Sequence, residues 1–157
     1  MDAATRKAKL EEIKTNQLNQ AMTGIPLRYK GTTRTEIVWR IPLDYLIYNK
    51  YNGRIGSDVL SYEKQNGELN AELDSDREII ETFLYESKVD RNKTTMESLL
   101  KIGQQRYGIV TSDGIIVDGN RRAMLLNRLF HKYEEYGYSY AEVEKSQYFL
   151  AIILPDD

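Results

Sequence analysis

The feature that most constrains this chain is a tight turn followed at once by the start of a helix. Asp113-Gly114 separates two short runs rich in β-branched residues, Gly108–Val110 and Ile115–Val117. An Asp-Gly pair in this setting is a strong signal for a β-hairpin. Helical spacing begins directly afterwards, with an apolar stripe formed by Leu125, Leu126, Leu129, Phe130 and Tyr133. The sequence therefore predicts a hairpin and then a helix that begins at Asp118.

Two arginines, Arg121 and Arg122, lie in the first turn of this predicted helix. Counting back from the apolar stripe at about 100° per residue places Arg122 near its centre and Arg121 near one edge. A guanidinium that faces the interior keeps its charge, so it requires an anion. The helix N-terminus also favours negative charge, and Gly119 lets a ligand approach the backbone closely.

Two interpretations of this segment are open. In the functional one, the strand, the glycine turn, the helix N-terminus and the inward arginine form a phosphate-binding site. In the structural one, Asp118 is the N-cap of the helix, and Arg122 pairs with a carboxylate from the acidic region Asp58–Glu81. The residues alone do not decide between them.

Composition excludes several other classes of function. A chain of 157 residues forms one domain with a real core, and the charged start of the sequence lacks a signal peptide's apolar centre. We therefore expect a cytoplasmic protein without membrane contact. There is no cysteine and one histidine, His131, so thiol catalysis and histidine-pair metal sites are excluded. A net charge of −2 argues against a broad basic face for nucleic acid.

The remaining segments indicate alternating helices and strands. The N-terminal part predicts a helix over Asp2–Met22 that Gly24 and Pro26 end. A strand over Glu36–Ile41 with Trp39 buried, a helical turn over Leu43–Ile47 and a flexible connection over Gly56–Asp74 follow. The C-terminal part predicts helices opened by capping boxes at Ser75 and Thr94, and Gly103 is expected to end the second of them. It also predicts a helical turn at Ala141–Lys145 and a buried strand over Gln147–Leu154. We expect an α/β (α+β) domain over residues 36–157, with a small mixed sheet flanked by helices, and an N-terminal helical extension over residues 1–24.

The order of these segments resembles that of the ParB/sulfiredoxin superfamily. The first matching box is IPLDYLIYNKYNGRI, Ile41 to Ile55, and the second runs from Met96 to Leu129. Within the second box, Gly119-Asn120-Arg121-Arg122 resembles the Gly-x-Arg-Arg box of ParB. Together with Asp118 it is also similar to the Asp-Gly-x-x-Arg box of nucleotide-dependent restriction and phage-defence proteins. The resemblance covers roughly Glu36 to Leu154 and implies a ParB/sulfiredoxin-like fold.

The resemblance also implies a ligand. Members of the superfamily place nucleotide phosphates on this box, so the expected ligand is a nucleoside triphosphate, ATP or CTP, with Mg²⁺ as an accompanying ion. Gly119, Asn120, Arg121 and Arg122 would hold phosphate, and Arg54 would reach in from the first box. Two departures matter. Asn120 stands where sulfiredoxin has its catalytic cysteine, and no helix-turn-helix region follows the last strand here, so DNA contact is expected only through a region outside this chain.

Three functions are consistent with this reading. The first is a regulatory or switch-like nucleotide-binding module of a prokaryotic DNA-associated system, such as partition, transcription control or phage defence, with homodimer formation left open. The second is an enzyme of the same fold, an NTPase, a nuclease or a small-molecule kinase, in which Asp118 is the candidate catalytic residue. The third is a non-catalytic protein-interaction domain whose arginines are structural. No metal site built from protein ligands is predicted.

Overall fold

The structure, a computed structural model, describes residues 1–156 except for the side chain of Arg54. Its strands are β1 (Gln20–Tyr29), β2 (Thr32–Pro42), β3 (Ile47–Tyr48), β4 (Gly108–Val110), β5 (Ile115–Asp118) and β6 (Tyr148–Ile153). Its α-helices are α1 (Ala3–Ile13), α2 (Gly56–Asn66), α3 (Asp74–Glu86), α4 (Val89–Ile102), α5 (Asn120–His131) and α6 (Tyr140–Val143). Short 3₁₀ turns cover Gln17–Asn19, Leu43–Tyr45, Gly53–Ile55 and Glu144–Gln147.

The six strands form one mixed sheet in the order β1-β2-β6-β4-β5-β3. β2 pairs antiparallel with β1 and β6, and β4 pairs antiparallel with β5. The pairs β4–β6 and β3–β5 are parallel. The expected small mixed sheet with flanking helices is therefore confirmed, and so are the hairpin at Asp113-Gly114 and the buried Trp39.

The core lies where α5 packs on the sheet. Ala123 to Leu126 and Leu129 of α5 are buried, as are Phe149 of β6, Val110 of β4 and Ile116 of β5. Burial of this apolar surface supplies most of the stabilisation, at about 25 cal/mol per Å². α5 is therefore fixed along its length, and its N-terminus is held at the end of β5.

The N-terminal prediction was wrong beyond Ile13. The expected helix over Asp2–Met22 ends at Ile13. The segment between residues 24 and 36, which was assigned to neither predicted unit, belongs to a long antiparallel hairpin formed by β1 and β2. Gly24 and Pro26, expected to end a helix, lie inside β1. A proline is tolerated there because β1 is the edge strand, so its outer side needs no hydrogen-bond donor.

Three further local predictions were wrong. The expected flexible connection over Gly56–Asp74 contains helix α2, whose weak apolar stripe buries only Gly56 and Val59. The capping boxes at Ser75 and Thr94 are absent, because α3 and α4 begin earlier than those boxes require. A capping box occurs instead at Ser139, at the start of α6. Gly103 does end α4, as predicted.

Candidate functional site

The junction between β5 and α5 is built around a glycine in a left-handed conformation. Gly119 has φ +106° and ψ 17° and is the N-cap of α5, a conformation that costs other L-residues about 1–2 kcal/mol. Asp118 is the last residue of β5 rather than the helix cap, so its predicted capping role was wrong. The chain can turn from strand to helix in a single residue because that residue is glycine.

Packing imposes a second requirement at Gly119. A Cβ atom there would lie 2.7 Å from Cζ of Phe149 and 3.2 Å from Nη2 of Arg122. Gly108 of the neighbouring strand is equally crowded, since its Cβ would lie 2.4 Å from the same Cζ. The Phe149 ring therefore occupies the space beside both glycines. On this side of Gly119, the atoms that lie closest to its backbone belong to the Phe149 ring and to Arg122.

The first turn of α5 presents backbone donors. The carbonyl of Gly119 accepts the N–H of Ala123 at 2.9 Å, so the N–H groups of Asn120, Arg121 and Arg122 come before the first such bond of the helix. No side chain of the described residues caps this end. These donors and the positive end of the helix dipole favour an anion here.

The side chain of Asn120 has a structural partner. It is buried, its Nδ2 donates to the carbonyl of Asn49 at 2.9 Å, and its Oδ1 accepts the N–H of Asn49 at 3.2 Å. This two-way bond holds the loop after β3 against the start of α5. Because the side-chain amide of Asn120 is engaged with Asn49, the group of Asn120 that remains for a phosphate is its backbone N–H.

Arg121 connects three helices. Its Nη2 donates to Oδ1 of Asn92 at 2.8 Å, and Nδ2 of Asn92 donates to the carbonyl of Tyr85 at 2.7 Å. Asn92 is only 1% exposed, so this chain of hydrogen bonds is an internal one that ties α5 to α4 and to the end of α3. These contacts give Arg121 a structural role.

Arg122 differs from its neighbour. It is half-buried, and its Nε and Nη2 are buried without a hydrogen-bond partner among the described residues. Burial lowers the pKa of the guanidinium; the charge of Asp118 opposes this shift, and the positive charge of Arg106 adds to it. An arginine nevertheless stays protonated in a protein. Arg122 is therefore a fixed positive charge that the described part of the chain incompletely compensates.

Arg106 is a residue that the sequence reasoning missed. It is exposed and lies on the loop before β4, close enough for its charge to act on Arg122. Gln104 fixes this loop, because its Nε2 donates to the carbonyls of Arg106 and Leu150 and its Oε1 accepts the N–H of Leu150. The sequence contained a signal for this residue, because Arg106 stands two residues before Gly108–Val110. That strand was predicted to pair with the one that leads into α5.

The other two predicted site residues are Asp118 and Arg54. Asp118 is exposed at the end of β5, and its charge acts on Arg122. The side chain of Arg54 lies outside the described part of the structure; the loop that carries it is tied to β5, since Nδ2 of Asn52 donates to the carbonyl of Val117. Across residues 1–156, no group of three or more acidic or histidine side chains could hold a metal ion.

Comparisons of the chain with protein-family models, with curated proteins and with solved structures found no match in any of the three. None of the helices in the described part of the chain has the length and apolar character needed to cross a bilayer. Any function must therefore be argued from the residues around Arg122 and from the sequence resemblance.

Proposed function

We propose that this chain is a nucleotide-binding domain of the ParB/sulfiredoxin type, which holds the phosphates of a nucleoside triphosphate at the N-terminus of α5. Its role would be that of a regulatory or switch module in a DNA-associated system such as partition, transcription control or phage defence. The class of system comes from the resemblance of residues 36–154. The phosphate site itself is supported by the geometry around Arg122.

The observation that carries the proposal is the guanidinium of Arg122, whose Nε and Nη2 have no hydrogen-bond partner among the described residues. A half-buried charge without a counter-ion costs free energy, and here a second cation, Arg106, raises the cost. A phosphate would offset it, because the planar guanidinium matches two phosphate oxygens. The N–H groups of Asn120 to Arg122 lie at the same helix end, and Nη2 of Arg122 lies 3.2 Å from the Cβ position of Gly119, so both kinds of donor would serve one anion bound at this helix end.

The proposed site assigns different parts to the predicted residues. Arg122 and the first-turn N–H groups bind phosphate directly, and Arg106 adds positive charge from the neighbouring loop. Gly119 shapes the turn, the side chain of Asn120 orients the Asn49 loop, and Arg121 holds α5 in place. Mg²⁺ that arrives with the nucleotide would take its ligands mainly from phosphates and water, as it commonly does.

Calorimetric titration tests this proposal. ATP, CTP and GTP, each with Mg²⁺, are titrated into the wild type, Arg122→Met and Arg91→Met. Arg91 is an exposed residue of α4 and serves as a charge-matched control. We expect Arg122→Met to weaken the best nucleotide at least about tenfold, which is 1.4 kcal/mol, and Arg91→Met to bind like the wild type. The proposal is wrong if no nucleotide binds at about millimolar concentration, or if both variants bind equally well.

An enzymatic version of the site is favoured by one observation, the position of Asp118. Its carboxylate is exposed and close enough to Arg122 to act on the pKa of that side chain, which would place it near a bound phosphate. In an NTPase, nuclease or small-molecule kinase it could orient the attacking group. Asp118→Asn would then abolish turnover while leaving nucleotide affinity within about threefold; unchanged turnover would remove Asp118 from the mechanism.

A further inference from the structure

A second candidate site lies on the opposite side of α5 from Arg122. A cavity of about 390 Å³ opens between α3, the C-terminal half of α5 and the Leu43–Tyr45 turn, a size typical of small-molecule sites. Asn127 of α5 lines it. Because Asn127 follows Arg122 by five residues, the two side chains point about 140° apart around the helix. This cavity is therefore separate from the proposed phosphate site.

One wall of the cavity carries a carboxylate, that of Glu81, which forms no ion pair with a cation of the described residues. Oε1 of Glu81 accepts hydrogen bonds from the hydroxyl of Tyr48 at 2.9 Å and from Nδ2 of Asn127 at 2.8 Å. Both donors are neutral. Burial and the charge of Glu81 raise the pKa of Tyr48 well above its ordinary value, so Tyr48 remains a donor. Within the described residues, Oε2 of Glu81 receives neither a hydrogen bond nor an ion pair.

The other wall carries positive charge that forms no ion pair with a carboxylate of the described residues. Arg128 stacks its guanidinium 4.2 Å from the ring centre of Tyr85, while its Nε is buried without a hydrogen-bond partner among the described residues. Lys132, at the end of α5, lines the same cavity and is exposed. Arg77 also lines it, but Arg77 is paired with Asp74. The cationic groups left for a ligand are therefore on α5.

The floor between the two walls is apolar. Leu46 is 4% exposed and Ile116 is 1% exposed, and both line the cavity. A ligand that fits must combine a positive group for Glu81, a negative group for Arg128 and Lys132, and a short hydrocarbon part for the floor. An inorganic anion or a simple amine would satisfy only one wall and would leave the other charge uncompensated.

We propose that the cavity between α3 and α5 binds a small zwitterion of the amino-acid class. Its ammonium group donates to Oε2 of Glu81, its carboxylate accepts from Arg128 and Lys132, and its apolar side chain packs on Leu46 and Ile116. The half-buried carboxylate of Glu81, the cationic side chains of Arg128 and Lys132 and the apolar floor each account for one part of this ligand. The site does not depend on nucleotide binding at Arg122.

The test uses three probes with nearly the same hydrocarbon part. L-Leucine carries both charges, isocaproate lacks the ammonium group, and isopentylamine lacks the carboxylate. We expect L-leucine to bind the full chain at least about tenfold more tightly than either partial probe in calorimetric titrations. Glu81→Gln keeps the acceptor for Tyr48 and Asn127, and should weaken L-leucine and isopentylamine about tenfold while leaving isocaproate unchanged.

Controls separate this site from general effects. Glu86→Gln alters an exposed residue of the same helix and should bind L-leucine like the wild type. Lys132→Gln, at an exposed position, should weaken L-leucine and isocaproate but not isopentylamine. The proposal is overturned if Glu81→Gln binds all three probes like the wild type, or if L-leucine, L-phenylalanine and L-glutamate all fail to bind at about 10 mM.

Discussion

Two half-buried cations of this protein, Lys50 and Arg122, have opposite surroundings. The Nζ of Lys50 lies 2.8 Å from Glu63 and 3.3 Å from Glu68, and it donates to the carbonyl of Leu69 at 2.5 Å. Arg122 has no ion pair with a described carboxylate, and two of its nitrogens are buried without a partner in the described part of the chain. The charge of Lys50 is compensated by carboxylates of the protein, whereas the charge of Arg122 has no such compensation within the described residues.

The pKa values follow the same division. Burial acts to lower the pKa of Lys50, but its hydrogen bonds with Glu63, Tyr51 and Glu68 outweigh burial and raise it. Burial lowers the pKa of Arg122, and its neighbours do not reverse the shift. The cluster of Lys50, Glu63 and Glu68, here the Lys50 cluster, is therefore stabilised by ion pairs. The Arg122 site is instead positioned by packing around Phe149. A charge held by packing alone is suited to receive an anion from outside.

The largest effect is expected where packing holds the Arg122 site. Gly119→Ala combines left-handed strain with overlap on Phe149, and should lower the free energy of unfolding by roughly 2–5 kcal/mol. Gly31→Ala is the control, because Gly31, in the turn between β1 and β2, also has a positive φ but no atom lies within 4 Å of its Cβ position; it should cost only about 1–2 kcal/mol. Urea unfolding measures both. Equal losses would show that Phe149 does not define the turn.

The next effect concerns the compensated charge. Lys50→Met leaves Glu63 without its cation; the two side chains are 14% and 10% exposed. We expect urea unfolding to show a loss of roughly 2–4 kcal/mol. Lys64→Met, at an exposed position of α2, should change stability by less than about 0.5 kcal/mol. A loss at Lys50 no larger than at Lys64 would remove the contrast with Arg122.

A smaller effect, of opposite sign, is expected at Arg122. Arg122→Met keeps the hydrocarbon stem and removes a charge whose burial is uncompensated. Without a ligand, its free energy of unfolding should equal that of the wild type or exceed it by up to about 1 kcal/mol, measured against Arg91→Met. A loss greater than about 2 kcal/mol would mean that Arg122 already has a carboxylate partner, and would favour a structural role for this arginine.

The smallest effect is the acid dependence of the Lys50 cluster. Burial acts to raise the pKa of Glu63, but hydrogen bonds from Lys50, the Leu69 N–H and Tyr51 lower it below its ordinary value of 4.5. This stabilisation is present above the ordinary pKa and is lost as pH falls through the lowered one. The stability difference between the wild type and Lys50→Met should therefore shrink below pH 4.5. A difference independent of pH would contradict the ion pair.

The strongest sequence signals were short-range. The Asp113-Gly114 hairpin, the helix after it and the last strand were predicted because turn chemistry and apolar spacing act within a few residues. β1 was missed because it is an edge strand with few buried side chains, and its glycine and proline were interpreted as breakers. α2 was missed because its helical stripe is weak and its position depends on the distant pairing of Lys50 with Glu63.

The candidate site was predicted in part. The position of Arg122 toward the interior followed from helical spacing, because Arg122 shares one helix with the stripe that is buried. The partners of Asn120 and Arg121 could not be predicted, since Asn49 and Asn92 are distant in sequence and are brought close only by the fold. The packing requirement at Gly119 could not be predicted for the same reason: the ring beside it comes from β6.

The central claim is that the guanidinium of Arg122 is held in position for a bound anion. ¹⁵N NMR of the arginine Nε–H groups tests it, with the Arg122 resonance assigned by its loss in Arg122→Met. On addition of inorganic triphosphate or the best nucleotide, this resonance should shift saturably and its exchange with water should slow. A resonance that stays fixed while the ligand shifts other signals of the protein would contradict the claim.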